Sequence, residues 1–391
     1  MEKGEVIFEL DDKDHHLQEI EKNHGPVVRI NGKEIIMAGS NNYLGLSKHP
    51  DVIEASKKAL IDFGTSCSGS RYLNGTLVLH TALEEELADF LGMESCLLFT
   101  TGFLTNQGVL PTIVHRNEYL ITDKDNHASI VAGALIAKAL AAHIHRYSSN
   151  DMESLEKVLE AIPLDAPKLI VTDGVFSMSG YIVNLPELTR LAKKYQARVM
   201  IDDAHSIGVL GEGGRGTCSH FGLKNGEDVE LLMGTFSKSF ASLGGFIAGE
   251  KKVIEYIKHH SRALIFSASM TPANVAAVHA VLKIIKREPE RIERIREISH
   301  YMRNGFKQLG FKILEGITPI VPVIVGDDMK TFQFWRRLLD EGVFANAVIS
   351  PAVPQGMQLI RTSFMATHEN EHLDRIIEVF QKVGKEFGLV G

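Results

Sequence analysis

Cysteine is scarce. Three residues, Cys67, Cys96 and Cys218, stand among 391, an odd number with no paired spacing. That excludes a disulfide framework and a cysteine-built zinc site, and it suits a reducing compartment. Positive charge is also short. Lys and Arg number 42 against 49 Asp and Glu, a net charge of −7, which argues against nucleic acid as the main partner. No apolar stretch reaches the roughly 20 residues that a membrane helix needs. The start, Met1-Glu2-Lys3-Gly4-Glu5, lacks the apolar core of a signal peptide, so a cytoplasmic location is expected. Seventeen histidines occur without an HExxH or similar ligand spacing, so no metal site is expected. Internal repeats and low-complexity linkers are missing too.

What is present is ordinary globular composition, 44% hydrophobic and 23% charged, long enough for a large core and a smaller second domain. Residues 1–45 read as an arm: a short polar helical stretch, then strands at Val27 to Ile30 and Glu34 to Met37 around an Asn31-Gly32 turn. Over 46–287, amphipathic helices at Val52 to Phe63 and Leu79 to Leu91 lead into short apolar runs between helical segments. The runs are Cys96 to Thr100, Tyr119 to Thr122, Leu169 to Thr172, Val199 to Ile201 and Leu231 to Met233. Such alternation predicts an α/β domain with a mostly parallel sheet covered on both faces. Asn150 and Glu153 suggest a capping box, and Pro186 suits a helix's first turn. Over 288–391 a charged helix (Arg291 to Leu309), strands near Ile320 to Val325 and Leu359 to Ser363, and helices at Met329 to Glu341 and Glu371 to Phe387 read as a smaller α+β domain.

Ligands collect at the carboxyl ends of parallel strands, so the residues just past each run matter most. Past Met233 comes Gly234-Thr235-Phe236-Ser237-Lys238. A lysine there can form a Schiff base with an aldehyde cofactor while a nearby hydroxyl holds a phosphate. Past Thr100, the Thr101-Gly102-Phe103 turn exposes backbone N–H groups at a helix start, a phosphate site. Past Thr122, His127 can stack on a cofactor ring; past Thr172, Ser177 can reach a cofactor oxygen. Past Ile201 stand Asp202, Asp203 and His205. A carboxylate at a buried strand end needs a cationic partner, and a protonated pyridine nitrogen is one. Mg²⁺ is an alternative, although no Walker-type glycine loop accompanies it.

In their order, Gly102-Phe103, His127, Ser177, Asp202/His205 and Thr235-x-x-Lys238 resemble fold-type I pyridoxal 5'-phosphate (PLP) enzymes, and among these the α-oxoamine synthases. Asn41-Asn42-Tyr43-Leu44-Gly45-Leu46, Gly69-Ser70-Arg71-Tyr72, Phe266-Ser267-Ala268-Ser269 and Leu359-Ile360-Arg361-Thr362 extend the resemblance over nearly the whole chain. It implies Lys238 as the Schiff-base lysine, Asp202 at the pyridine nitrogen and His127 on the ring. His205 and Ser177 would meet the phenolic oxygen, and Gly102, Phe103 and Thr235 the phosphate. Ser267 would reach the cofactor of a neighbouring subunit, which implies a homodimer with shared sites. Arg361, assisted by Asn41, would clamp the substrate carboxylate. Where some relatives carry a polar residue, this chain has Ala268, so a second side-chain phosphate contact is missing.

The chemistry so implied is a decarboxylative condensation of an amino acid with an acyl-CoA. Ser206, the Gly234 to Gly245 stretch, Phe266 to Thr271 and Met365-Ala366-Thr367-His368 look most like bacterial serine palmitoyltransferases. The leading expectation is therefore L-serine plus a long-chain acyl-CoA giving 3-oxosphinganine, CoA and CO₂. The alternative is a glycine- or alanine-using relative, a 2-amino-3-ketobutyrate CoA ligase or an 8-amino-7-oxononanoate synthase. A lipid substrate leaves room for peripheral membrane contact, although no basic amphipathic helix stands out.

Overall fold

The computed structural model describes residues 18–391. The polar helical stretch expected at the start of the arm lies outside them. The arm contributes β1 (Lys22–Asn23), β2 (Val27–Ile30) and β3 (Lys33–Met37). Asn31 and Gly32 link β2 to β3 with φ of 48° and 73°, the left-handed values that a tight hairpin turn demands.

Helices α1 (Pro50–Phe63) and α2 (Val78–Leu91) precede a seven-stranded sheet. Its strands are β4 (Ser95–Phe99), β5 (Tyr119–Asp123), β6 (His143–Tyr147), β7 (Lys168–Asp173), β8 (Arg198–Asp202), β9 (Leu231–Thr235) and β10 (Gly245–Gly249). They lie in the order β4-β10-β9-β8-β7-β5-β6. Five expected apolar runs are strands here, each within two residues of its expected ends. Every residue of β7, β9 and β10 is buried, as a two-sided cover requires. Strand β10 runs antiparallel to both neighbours. Its first residue therefore sits at the edge where the parallel strands end. Two helices follow strand ends directly, α3 (Gly102–Ile113) after β4 and α4 (Ala128–Ala139) after β5.

Strands β11 (Ile320–Ile324), β12 (Val343–Phe344), β13 (Asn346–Val348) and β14 (Leu359–Ser363) complete the set. Three of them form a small sheet, β11-β14-β13, while β12 pairs in parallel with β3 of the arm. The arm and the C-terminal region consequently share one apolar core. Val28, Ile30, Ile35 and Met37 pack there with Phe306, Phe334, Trp335 and Phe380.

One local expectation is corrected. Asn150 does not cap the helix Met152–Glu160. Asp151 does, accepting from the Ser154 N–H at 3.0 Å. Asn150 sits one residue too early, at φ 52°, and is used otherwise. Its N–H donates to Asp123 Oδ2 at 2.8 Å and its side-chain oxygen accepts from Asn184 N–H at 2.7 Å, tying three loops together. Among the described residues no helix is long and apolar enough to cross a membrane.

Candidate active site

The carboxyl ends of β5, β7, β8 and β9, with the start of α3, surround a cavity of about 230 Å³. Gly102, Phe103, His127, Asp202, His205, Thr235 and Lys238 line it, and so do Asp173, Ser129 and Thr101. Seven of the eleven residues singled out in the sequence thus converge on one space.

Lys238 follows β9. The surrounding protein makes its charged form unfavourable and lowers its pKa to about 8; Asp202 and Asp173 pull the other way, and the Arg361 charge lowers it further. Asp202 ends β8 and is 3% exposed. Amides, not cations, meet its oxygens: Asn106 Nδ2 donates at 2.7 Å and Ala204 N–H at 3.1 Å. Asn106 Oδ1 is itself buried without a partner. His127 caps α4, with Nδ1 2.7 Å from Ser129 Oγ, and its ring meets Phe103 edge-on at 6.3 Å. Burial lowers its pKa. His205 is held well below the usual histidine range by burial, then by the charges of Lys238, Arg361 and His127.

The turn into α3 is shaped as a cradle. A Cβ on Gly102 would come within 2.9 Å of the Thr235 side chain, and one on Gly245 within 2.6 Å of the Gly102 Cα. Only glycines let β10 and α3 approach this closely. Thr101 Oγ1 accepts from Leu104 N–H at 3.0 Å, which leaves the N–H groups of Gly102 and Phe103 at the open helix end. Thr235 Oγ1 donates to Gly244 O at 3.0 Å and lies 3.0 Å from Ser237 Oγ.

The other four residues stand apart from the cavity lining. Arg361, on β14, is 4% exposed and already aligned: Nε donates to Ser177 O at 2.6 Å, Nη2 to Asn41 Oδ1 at 2.9 Å and Nη1 to Ser363 Oγ at 3.3 Å. Ser177 thus meets the site through its main-chain carbonyl. Asn41 approaches from the arm. Ser267 lines a separate crevice with Arg71 and His80. That crevice is closed by Thr100 Oγ1 donating to Ala268 O at 2.6 Å and Ser269 N–H donating to Gly69 O at 3.0 Å.

Asp173 and Tyr43 were absent from the sequence-based selection. Asp173 ends β7 in register with Asp202 on β8. Its Oδ2 accepts from the His127 N–H at 2.9 Å. Burial, then the neighbouring Asp202 charge, pushes its carboxyl well above the usual range. Tyr43 is wholly buried between His205 and Arg361. Both had a signal: Tyr43 lies inside a motif already noted, and Asp173 follows an apolar run as Asp202 does.

These residues fit a PLP molecule. A glycine cradle at a helix start suits a phosphate, and a buried carboxylate met only by amides suits a protonated ring nitrogen.

The model of the aminotransferase class I and II family matches residues 33–380. A serine palmitoyltransferase of Sphingobacterium spiritivorum is 46% identical, covering 95% of this chain and 92% of the relative. An 8-amino-7-oxononanoate synthase of Bacillus velezensis is 42% identical, covering 96% and 94%. Among solved structures, a high-resolution structure of SPT with PLP internal aldimine superposes with a TM-score of 0.93 at 35% identity, covering 97% of this chain and 94% of that one. The fold, the strand-end cavity and these likenesses agree: the chain belongs to the aminotransferase class I and II family, in its α-oxoamine synthase branch.

Proposed function

We propose that this chain is a PLP-dependent serine palmitoyltransferase. It condenses L-serine with a long-chain, palmitoyl-type acyl-CoA and releases CoA, CO₂ and 3-oxosphinganine. The observation that carries the reading is the company of Lys238, a buried amine that lines one cavity with Asp202, His127 and His205; burial lowers its pKa to about 8. The choice of serine rests on relatives named serine palmitoyltransferase at 46% identity, against 41–42% for those named 8-amino-7-oxononanoate synthase.

When bound, PLP supplies an aldehyde for the amine and an electron sink for the carbanion at the substrate's α-carbon. Lys238 would be the residue that holds that aldehyde. Its amine would be the group that moves the α-proton, a role for which a pKa lowered to about 8 is suited. Asp202 would keep the ring nitrogen protonated. His127 would cover the ring, His205 and Ser177 would face its phenolic oxygen, and Gly102, Phe103 and Thr235 would hold the phosphate. Arg361, braced by Asn41, receives the serine carboxylate as a two-pronged donor. Ser267 serves the cofactor of a second copy, so the working unit is a homodimer. The three divisions are an arm at 1–45, a PLP-binding domain at 46–287 and a small domain at 288–391. The seven-stranded sheet falls inside the second and the three-stranded sheet inside the third. Free cysteines favour the cytoplasm, and the acyl chain calls for peripheral contact with a bilayer.

The test is direct. The purified holoenzyme is titrated with L-serine, glycine, L-alanine and L-threonine while the visible band of the cofactor is followed, and products with palmitoyl-CoA are weighed by mass spectrometry. A saturable response to L-serine and the mass of 3-oxosphinganine are expected. Silence with L-serine beside a saturable response to glycine or L-alanine would overturn the assignment.

A further inference from the structure

Tyr43 has no part in the function proposed above, yet its hydroxyl joins two groups that do. The residue is fully buried in the loop between β3 and α1, where its N–H donates to Asn41 O at 2.9 Å and its O accepts from Ala366 N–H at 2.7 Å. The main chain on both sides therefore holds the ring in place. The hydroxyl lies 2.7 Å from His205 Nδ1, 3.1 Å from Asn41 Oδ1 and 3.4 Å from Arg361 Nη2.

A phenol has a single proton to give, and a guanidinium can only donate. Arg361 Nη2 already donates to Asn41 Oδ1 at 2.9 Å. The Asn41 oxygen has two lone pairs and could accept from Tyr43 as well, at 3.1 Å, but the contact to His205 Nδ1 is shorter, 2.7 Å. The shorter contact places the proton on the His205 side. Burial keeps the phenol protonated, and burial with the charges of Lys238, Arg361 and His127 keeps His205 neutral. A neutral imidazole carries one ring proton. If Nδ1 accepts from Tyr43, that proton sits on Nε2, the nitrogen left for the cavity that His205 lines.

We propose that Tyr43 is a positioning residue that donates to His205 Nδ1, holding it as the Nε2–H tautomer, and accepts from Arg361 Nη2 to help fix the guanidinium. The histidine that faces the cofactor and the arginine that takes the carboxylate are then set by one hydroxyl. Removing the hydroxyl frees the His205 tautomer and slackens the carboxylate clamp together. The benefit of Tyr43 for Arg361 rests on the proposed function; its hold on His205 does not.

The experiment has two arms. In the first, apoenzyme carrying ¹⁵N-labelled histidine is studied by NMR, with the His205 signals assigned by their loss in His205→Gln. Wild type is expected to show a bare Nδ1 and a protonated Nε2, and Tyr43→Phe a mixture of tautomers or the reverse one. A wild-type His205 protonated on Nδ1 overturns the proposal without recourse to any variant. In the second arm, enzyme reconstituted with PLP is titrated with L-serine and, separately, with acid. Tyr43→Phe is expected to raise the apparent Kd for L-serine about tenfold, the scale of one hydrogen bond to a charged group. It also moves the pH midpoint of the cofactor's visible band. A Tyr43→Phe enzyme with wild-type melting temperature, wild-type tautomer and wild-type midpoint overturns the proposal. Failure of wild type to take up PLP instead overturns the function proposed above, and the NMR arm still decides Tyr43.

Discussion

At Arg361 three of the guanidinium's hydrogen bonds are made before any substrate arrives, to Ser177 O, Asn41 Oδ1 and Ser363 Oγ. The fork is pre-aligned, so a carboxylate need not pay to order it. Lysine offers a single point charge on a flexible stem and cannot reproduce the fork. Arg361→Lys is expected to weaken L-serine binding by about 1.5–3 kcal/mol, roughly ten- to a hundredfold, as read by spectral titration of the holoenzyme. Turnover at saturating L-serine should fall less than affinity. The fate of individual residues also shows what a sequence can disclose. Lys238, Asp202 and His127 each follow an apolar run, and a reader who expects ligands at strand ends finds them. Tyr43 meets His205 across 162 positions, and Asp173 stands beside Asp202 only through sheet register. Neither relation exists until the chain is folded.

The elements differ in the same way. Strand β7 announces itself as a continuous apolar run, whereas β10 is five residues bracketed by glycines, and its pairing with β4 spans about 150 positions. Its glycines serve contact with α3, not strand propensity, so local pattern alone does not reveal it. His368 makes a comparable long-range tie. Its Nε2 donates to Met37 O of β3 at 3.1 Å, and its Nδ1 accepts from Met365 N–H at 2.9 Å. Burial lowers its pKa from 6.5 to about 4. The folded pKa is depressed, so the unfolded chain binds the extra proton; stability is full above pH 6.5 and declines as pH falls towards 4. The contribution is about 3 kcal/mol at its fullest. His205 and His80 shift in the same direction, so the decisive quantity is a difference. Urea unfolding between pH 4 and 8 should show a shallower acid loss in His368→Gln than in wild type. Equal slopes would mean that the arm tie carries no proton linkage.

On the scale of the molecule, the surface beside the cavity is unlike that of a solitary protein. Leu73 is 83% exposed and Phe266 82%, and Phe103 and Leu243 are exposed as well. The segments that carry Leu73, Phe103 and Phe266 are joined by the Ser70–Ala268 bridge and by the Thr100 and Ser269 hydrogen bonds. Ser267 follows Phe266 and lines the crevice with Arg71 and His80, not the cavity that holds Lys238. A large apolar patch next to a functional site marks an interface. Burying each such side chain is worth about 1.5–3 kcal/mol, and in a two-fold dimer every gain counts twice. Phe266→Asp places a charge in that seam on both subunits. It is expected to give monomers in sedimentation velocity at micromolar concentration, with PLP retained more weakly, if Ser267 serves a second subunit as proposed. The two readouts should move together, and raising the protein concentration should restore both. A variant that stays dimeric, or a monomer that holds PLP as tightly as wild type, would show that each cavity is complete within its own chain.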